Sequence, residues 1–231
     1  NDCMILQGEL LYPLLSEIIE HTPAFSSFKD FLSDLSPFNS IETLRKIPLL
    51  TKNEILQNSE PYLRDNIDEK LYEAKTGGTL PEEQLTVSRL RSEYEIENEY
   101  VAKSWERIGI TLGVHKGVVL SSRIASKSEN GFSYIDDKKI LWLACNVNSE
   151  EHWNQILYSI QEYKPKYIRG YGSLVLEYFR QLKRRHLSMP SSIIGVAYSS
   201  DPMGPKEIQF IRQNFCENII SLYGQTERVT M

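Results

Sequence analysis

Apolar and polar positions change period along the chain, and the change divides it. Up to about residue 70 the pattern reads as short helices with polar connections. The firmest start signal is Thr51-Lys52-Asn53-Glu54, where Thr51 can cap a helix and Glu54 can reach back to it. Leu50 and Ile55 flank that capping box as a hydrophobic staple, and Pro48 precedes it. A helix is predicted from Ser88 to Ile108, with Tyr94, Val101, Trp105 and Ile108 on one face and Gly109 as its stop.

Further on, short apolar runs alternate with helical stripes. Val118-Val119-Leu120 and Ile140-Leu141-Trp142-Leu143 read as buried strands. Ser149 caps a helix with an acidic first turn, and Trp153, Ile156, Leu157 and Ile160 form its apolar stripe. Pro165 closes that unit. Strand Tyr167-Ile168-Arg169 leads into a helix from about Ser173 with Val175, Tyr178, Phe179 and Leu182 inward. Strand 193–198 precedes a helix beginning near Pro205, with Ile208, Ile211 and Phe215 inward. Strand Ile219-Ile220-Ser221-Leu222 ends the series. The order β-β-α-β-α-β-α-β predicts an α/β fold, a mostly parallel sheet flanked by helices and preceded by a helical N-terminal segment. The boundaries read as 1–75 for the helical segment and 76–231 for the α/β subdomain.

Composition narrows the function classes. Of 231 residues, 41% are apolar and 25% charged, as in an ordinary globular protein. The net charge of −5 makes the chain a poor generic binder of polyanions, so no nucleic-acid partner is expected. The basic run Lys183-Arg184-Arg185-His186 is explained by the dipole of the helix it closes. No apolar run reaches the ~20 residues of a membrane span, and the start lacks the features of a signal peptide. Cys3, Cys145 and Cys216 have neither disulfide nor metal spacing and read as reduced thiols of a cytoplasmic protein. The four histidines are scattered, so zinc is not expected. Trp105, Trp142 and Trp153 read as core, His115 as a solvated turn residue and Glu93 to Glu99 as a solvated helix face. The chain lacks an initiator Met and ends on Glu227-Arg228-Val229-Thr230-Met231 without a turn or tail, which suggests a portion of a longer protein.

In open α/β sheets, ligands bind beyond the carboxyl ends of the strands. The residues there are Gly170-Tyr171-Gly172-Ser173, Ser199-Ser200-Asp201-Pro202-Met203 and Tyr223-Gly224-Gln225-Thr226-Glu227. An aromatic plane, hydroxyls and a carboxylate suit a base, phosphate oxygens and Mg²⁺ respectively. Upstream, Thr76-Gly77-Gly78-Thr79 is either a phosphate-wrapping loop or an ordinary turn.

Tyr223-Gly224-Gln225-Thr226-Glu227 resembles the Tyr-Gly-x-Thr-Glu motif of adenylate-forming enzymes, and the chain as a whole looks like the phenylacetate-CoA ligase and CapK-type branch. The segment 44–55, Thr76 to Thr79, Arg169 to Leu174 and Ser199 to Met203 follow that branch in order. The resemblance implies the N-terminal domain of an ATP-dependent ligase. Such a ligase joins a carboxylic acid to AMP from Mg·ATP, releases pyrophosphate, and passes the acyl group to a thiol, often coenzyme A. It implies Thr226 and Glu227 as catalytic residues, with Glu227 on Mg²⁺. Thr76, Gly77, Gly78 and Thr79 would wrap the β- and γ-phosphates. Ser200, Asp201, Pro202, Tyr223 and Gly224 would hold the adenine, and Tyr171 would border the acyl pocket. Small-molecule acid and ATP are the implied partners, with no membrane insertion; a homodimer is left open.

One departure points elsewhere. Leu80-Pro81-Glu82-Glu83-Gln84 replaces the family's Thr-Gly-x-Pro continuation, placing two carboxylates where phosphates would approach. Like charge at short range would cost roughly a kcal/mol or more. The alternative is therefore a non-catalytic relative that binds a nucleotide, an acyl group or another protein. The family's later Thr-Gly-Asp and its C-terminal catalytic Lys have no counterpart within these residues.

Overall fold

The computed structural model describes residues 2–76, 84–122, 131–145 and 149–222. The chain forms two compact units, Asn1–Tyr94 and Glu95–Met231.

In the first unit, helix α1 (Asp2–His21) runs into a 3₁₀ segment (Pro23–Ser33). Helices α2 (Ser40–Lys46) and α3 (Lys52–Gln57) and the antiparallel hairpin of β1 (Leu71–Lys75) and β2 (Thr86–Leu90) follow. The pattern of short helices is corrected at α1, which runs for 20 residues with Pro13 inside it. Pro13 removes one backbone hydrogen bond, and the tight docking of Leu15 and Ile19, 2% and 0% exposed, holds the turns that follow it. Ser40 donates its hydroxyl to the Gly8 carbonyl at 3.1 Å, which pins α2 to α1. The capping box at Thr51 is present: Glu54 N–H donates to Thr51 Oγ1, and Thr51 N–H donates to Glu54 Oε2 at 2.7 Å. The Thr51 hydroxyl also donates to Glu54 Oε2 at 2.6 Å, and this bond, with that from Thr51 N–H, holds the Glu54 carboxyl below its ordinary range.

The helix predicted from Ser88 starts later. Ser88 pairs with Glu73 in the hairpin, and helix α4 spans Arg91–Glu106. The β-branched Thr86 and Val87 next to it fit a pleated ladder, and the partner strand decides the conformation. Glu69 accepts from both Ser92 N–H and Ser92 Oγ at the head of α4, which lowers its carboxyl pKa. Tyr94 is half exposed and meets Tyr72 edge-on, whereas Val101 and Ile108 pack against buried Trp105.

The second unit is a six-stranded sheet in the order β4-β5-β3-β6-β7-β8. Its strands are β3 (Gly117–Ser121), β4 (Ser133–Ile135), β5 (Ile140–Ala144), β6 (Tyr167–Tyr171), β7 (Gly195–Ser199) and β8 (Ile219–Leu222). Only β4, an edge strand with no counterpart in the sequence prediction, runs antiparallel. Helices α5 (Glu150–Tyr163), α6 (Gly172–Arg184) and α7 (Pro205–Asn214) connect the others. The mostly parallel α/β sheet expected from the alternation is therefore what forms.

Register fixes the two faces. Val118, Leu120, Leu141, Leu143, Ile168, Val196 and Tyr198 point to one face and form the main core with the predicted stripes of α5 and α6. Trp153, Ile156, Leu157 and Ile160 are all buried there, each worth about 1.5–3 kcal/mol of transfer free energy. Ser149 caps α5 by accepting from His152 N–H at 3.1 Å. On the opposite face Tyr167 and Ala197 are covered by Trp105 and Ile110. Gly117, Tyr167 and Gly195 lie in one row across the strands. Two rows nearer the carboxyl ends the same face carries Trp142, Val119, Arg169, Ala197 and Ile220 in register, then Ala144, Ser121, Tyr171, Ser199 and Leu222. Cys145 and Cys216 are buried free thiols, and Cys3 is exposed. Burial pushes the Cys145 thiol up to about 12.

Candidate functional site

The sheet reverses its winding between β3 and β6. From β3 the chain proceeds through β4 to β5 on one side, and from β6 it proceeds to β7 on the other. Adjacent strands leaving in opposite directions open a crevice at their carboxyl ends. A cavity of about 300 Å³ lies there, lined by Val119 to Ser121, Trp142, Arg169 to Tyr171, Ala197 to Ser200 and Leu222. A larger cavity, bordered by Lys183, His186 and Ser188, lies at the far end of α6, away from the strand ends.

Two loops form the rim. Asp201, after β7, accepts from Ser173 N–H through Oδ2 at 2.9 Å, so its carboxylate satisfies the first turn of α6. Gly172 leaves room for that approach, since a Cβ there would collide with the Asp201 carbonyl oxygen. Ser200 adopts a left-handed backbone, φ 72°, which turns the chain sharply at the mouth. In the floor, a Cβ on Gly170 would come within 2.7 Å of the Leu120 carbonyl oxygen, so only glycine keeps β6 this close to β3.

The wall is built from β4 and β5. Asp136 accepts Ile140 N–H at 2.9 Å through Oδ1 and Trp142 Nε1–H at 3.0 Å through Oδ2. Trp142 is further held by Tyr134, stacked with an interplanar angle of 3° and a centroid separation of 5.8 Å. Arg169 sits two strands from Trp142 with Val119 between them, and its guanidinium lies 5.7 Å from the indole centroid.

Of the sequence-predicted site residues, Tyr171 and Ser200 line this cavity. Asp201 stands behind Ser200 as the clip between the two loops, and Pro202 is exposed beside it. Thr76 lies in the first unit, where its hydroxyl accepts from Leu85 N–H and its own N–H donates to the Leu85 carbonyl, both at 2.9 Å, extending the β1–β2 pairing by one residue pair. Gly77, Gly78, Thr79, Tyr223, Gly224, Thr226 and Glu227 lie outside the described residues. Among the described residues no group of three or more His, Cys, Asp or Glu could hold a metal ion. His115 accepts from Thr111 N–H through Nδ1 at 3.0 Å within its turn. No helix among the described residues is long and apolar enough to cross a membrane.

Trp142 is corrected: it is half-buried and walls the cavity instead of filling the core. Arg169 and Ser199 are additional lining residues. Their signal was positional, because side chains alternate along a strand and 169, 171 and 199 share the face of the cleft.

No protein-family model and no curated protein matches the sequence. Solved structures do match. The crystal structure of an open conformation of 2-hydroxyisobutyryl-CoA ligase, in complex with 2-HIB-AMP and CoA, aligns over 97% of this chain and 50% of its own, with a TM-score of 0.65 and 12% identity. The same ligase in the postadenylation state with 2-HIB-AMP aligns over 96% and 48%, with a TM-score of 0.64 and 13% identity. The fold is that of an adenylate-forming enzyme's N-terminal domain. At these identities the likeness is one of fold, and the chain spans about half the length of the structures it matches. The crevice described above sits where the topology of an open α/β sheet places a ligand.

Proposed function

We propose that the chain is the nucleotide-binding part of an ATP-dependent acid–thiol ligase of the phenylacetate-CoA ligase and CapK-like type. The observation that carries this reading is the cleft at the winding reversal, with Tyr171, Ser199 and Ser200 at its mouth, in a fold shared with an acyl-CoA ligase. A carboxylate oxygen of the acid attacks the α-phosphorus of ATP; the bond to the bridging oxygen breaks and pyrophosphate leaves. The thiol of an acceptor, coenzyme A in this reading, then displaces AMP from the acyl carbon. Such transfers depend on alignment and on neutralising charge, more than on proton transfer by side chains.

In this reading Ser200, Asp201, Pro202, Tyr223 and Gly224 hold the adenine. Thr226 contacts the α-phosphate, and Thr76 to Thr79 wrap the outer phosphates. Glu227 holds the magnesium ion, whose contribution is to offset phosphate charge. Asp201 serves the adenine pocket through the backbone it fixes, since its carboxylate already accepts from Ser173.

The second reading, a non-catalytic binding relative, is favoured by Glu82 and Glu83. Pyrophosphate exchange into ATP, measured with a panel of carboxylic acids on the protein carrying this chain, decides between them. Exchange dependent on one acid is the expected result. No exchange with any acid, together with no ATP binding by calorimetry, overturns the ligase reading.

A further inference from the structure

The cleft holds a cation that the reaction chemistry has not used. Arg169 lies mid-face on β6, half-buried, and its contacts are the face of Trp142 and a long-range influence on the Tyr167 hydroxyl. No carboxylate among the described residues comes within ion-pair distance of it, although Arg64, Arg184 and Arg185 are each paired with a glutamate. A guanidinium offers five N–H donors in a planar fork, and an indole face satisfies none of them.

Depth gives the donors a meaning. The mouth of the cleft is the last row of the sheet, with Ser121, Tyr171 and Ser199. Arg169 belongs to the next row down, two residues or roughly 6.6 Å along the strand. The rest of that row, Trp142, Val119 and Ala197, is apolar. A ligand entering from the mouth thus meets one cation in an otherwise apolar row.

We infer that Arg169 receives a second carboxylate at the far end of the substrate, so that the acid activated in this cleft is a short dicarboxylic acid. The inference rests on the ligase reading, which makes the occupant an acid whose reacting carboxylate stays at the mouth. A planar carboxylate matches the guanidinium fork, which can meet it with two parallel N–H···O bonds. Asp136 and Tyr134 make the counter-wall stiff by holding Trp142 on its edge and on its face.

Calorimetry with succinate, glutarate and adipate against butyrate, pentanoate and hexanoate tests this. One diacid is expected to bind at least tenfold more tightly than the monoacid of equal length. Arg169→Gln is expected to erase that preference with an unchanged melting temperature. The monomethyl ester of the preferred diacid, tested on the unaltered protein, is expected to lose the same factor and needs no variant to fold. Equal binding of diacids and monoacids, a preference that survives Arg169→Gln, full binding of the monoester, or no binding of any acid overturns the inference. ATP titrations separate the two readings. Diacid preference without ATP binding removes the ligase and leaves the Arg169 site. Exchange supported by monoacids and unchanged in Arg169→Gln removes the site and leaves the ligase.

Discussion

The two units bury their apolar residues to different degrees. In Asn1–Tyr94 the packed residues are few, chiefly Leu15, Ile19 and Leu35, and α1 leaves Leu6 and Leu10 56% and 68% exposed. Order there leans on local polar devices: the Thr51 capping box, Glu69 under Ser92, and Glu17 with Arg64 and Asn66. In Glu95–Met231 the sheet is covered on both faces, and its shifted titrating groups are thiols and phenols, among them the buried Cys145 and Tyr178. One unit is ordered largely at its surface and the other from its interior, so the same perturbation should affect them differently.

Phe179→Ala should have the largest effect. The ring is fully buried between Tyr178 and Phe215, and its loss should cost about 3–5 kcal/mol. Leu10→Ala, on exposed surface of α1, should stay within about 0.5 kcal/mol. Denaturant titrations of both variants check the contrast, and equal losses would break it.

Alkali should act next. Cys145, Tyr178, Tyr167 and Cys216 all have pKa values raised by burial. Groups raised in the folded state contribute stability that is whole below their ordinary pKa, 9.0 for the thiol, and is lost as pH climbs through the folded value, about 12 for Cys145. All three tryptophans belong to the second unit, so their fluorescence reports on it alone. A fluorescence transition between those limits is expected, and an unchanged signal contradicts it.

Gly172→Ala forces a methyl group against the Asp201 carbonyl and should cost about 1–3 kcal/mol by thermal melting. A neutral result would mean that the clip between the loops yields easily. Ser149→Ala removes the cap of α5 and should cost about 1 kcal/mol in the same assay.

Acid should have the smallest effect and should act on the first unit. Glu17, Glu54 and Glu69 have lowered pKa values, through Asn66, Thr51 and Ser92 respectively. Their contribution is present above the ordinary 4.5 and fades as pH falls below it. All three are exposed, so solvent screens them. Faster amide exchange in α3 and the first turn of α4, with the tryptophan signal intact, is the expected result.

The same contrast explains what the sequence revealed. The stripes of α5 and α6 were legible because helical spacing and burial coincide there. The β1–β2 pairing was hidden because it joins residues ten or more positions apart, and Ser88 taken alone suits a helix as well as a strand. β4 was hidden by its length, three residues with no internal repeat. At the site, Tyr171 and Ser200 announced themselves by position, one closing a strand and the other just after one. Trp142 and Arg169 did not, because an aromatic or a cation inside a strand declares its face only when the neighbouring strands set the register.

The hydrogen bond between Asp201 and Ser173 makes the two rim loops one mechanical part. A graft that imports one loop from another protein of this fold would leave either a bare helix end or a carboxylate without its amide. Specificity at this rim can therefore be exchanged only as a cassette, with the β6–α6 and β7–α7 turns moved together.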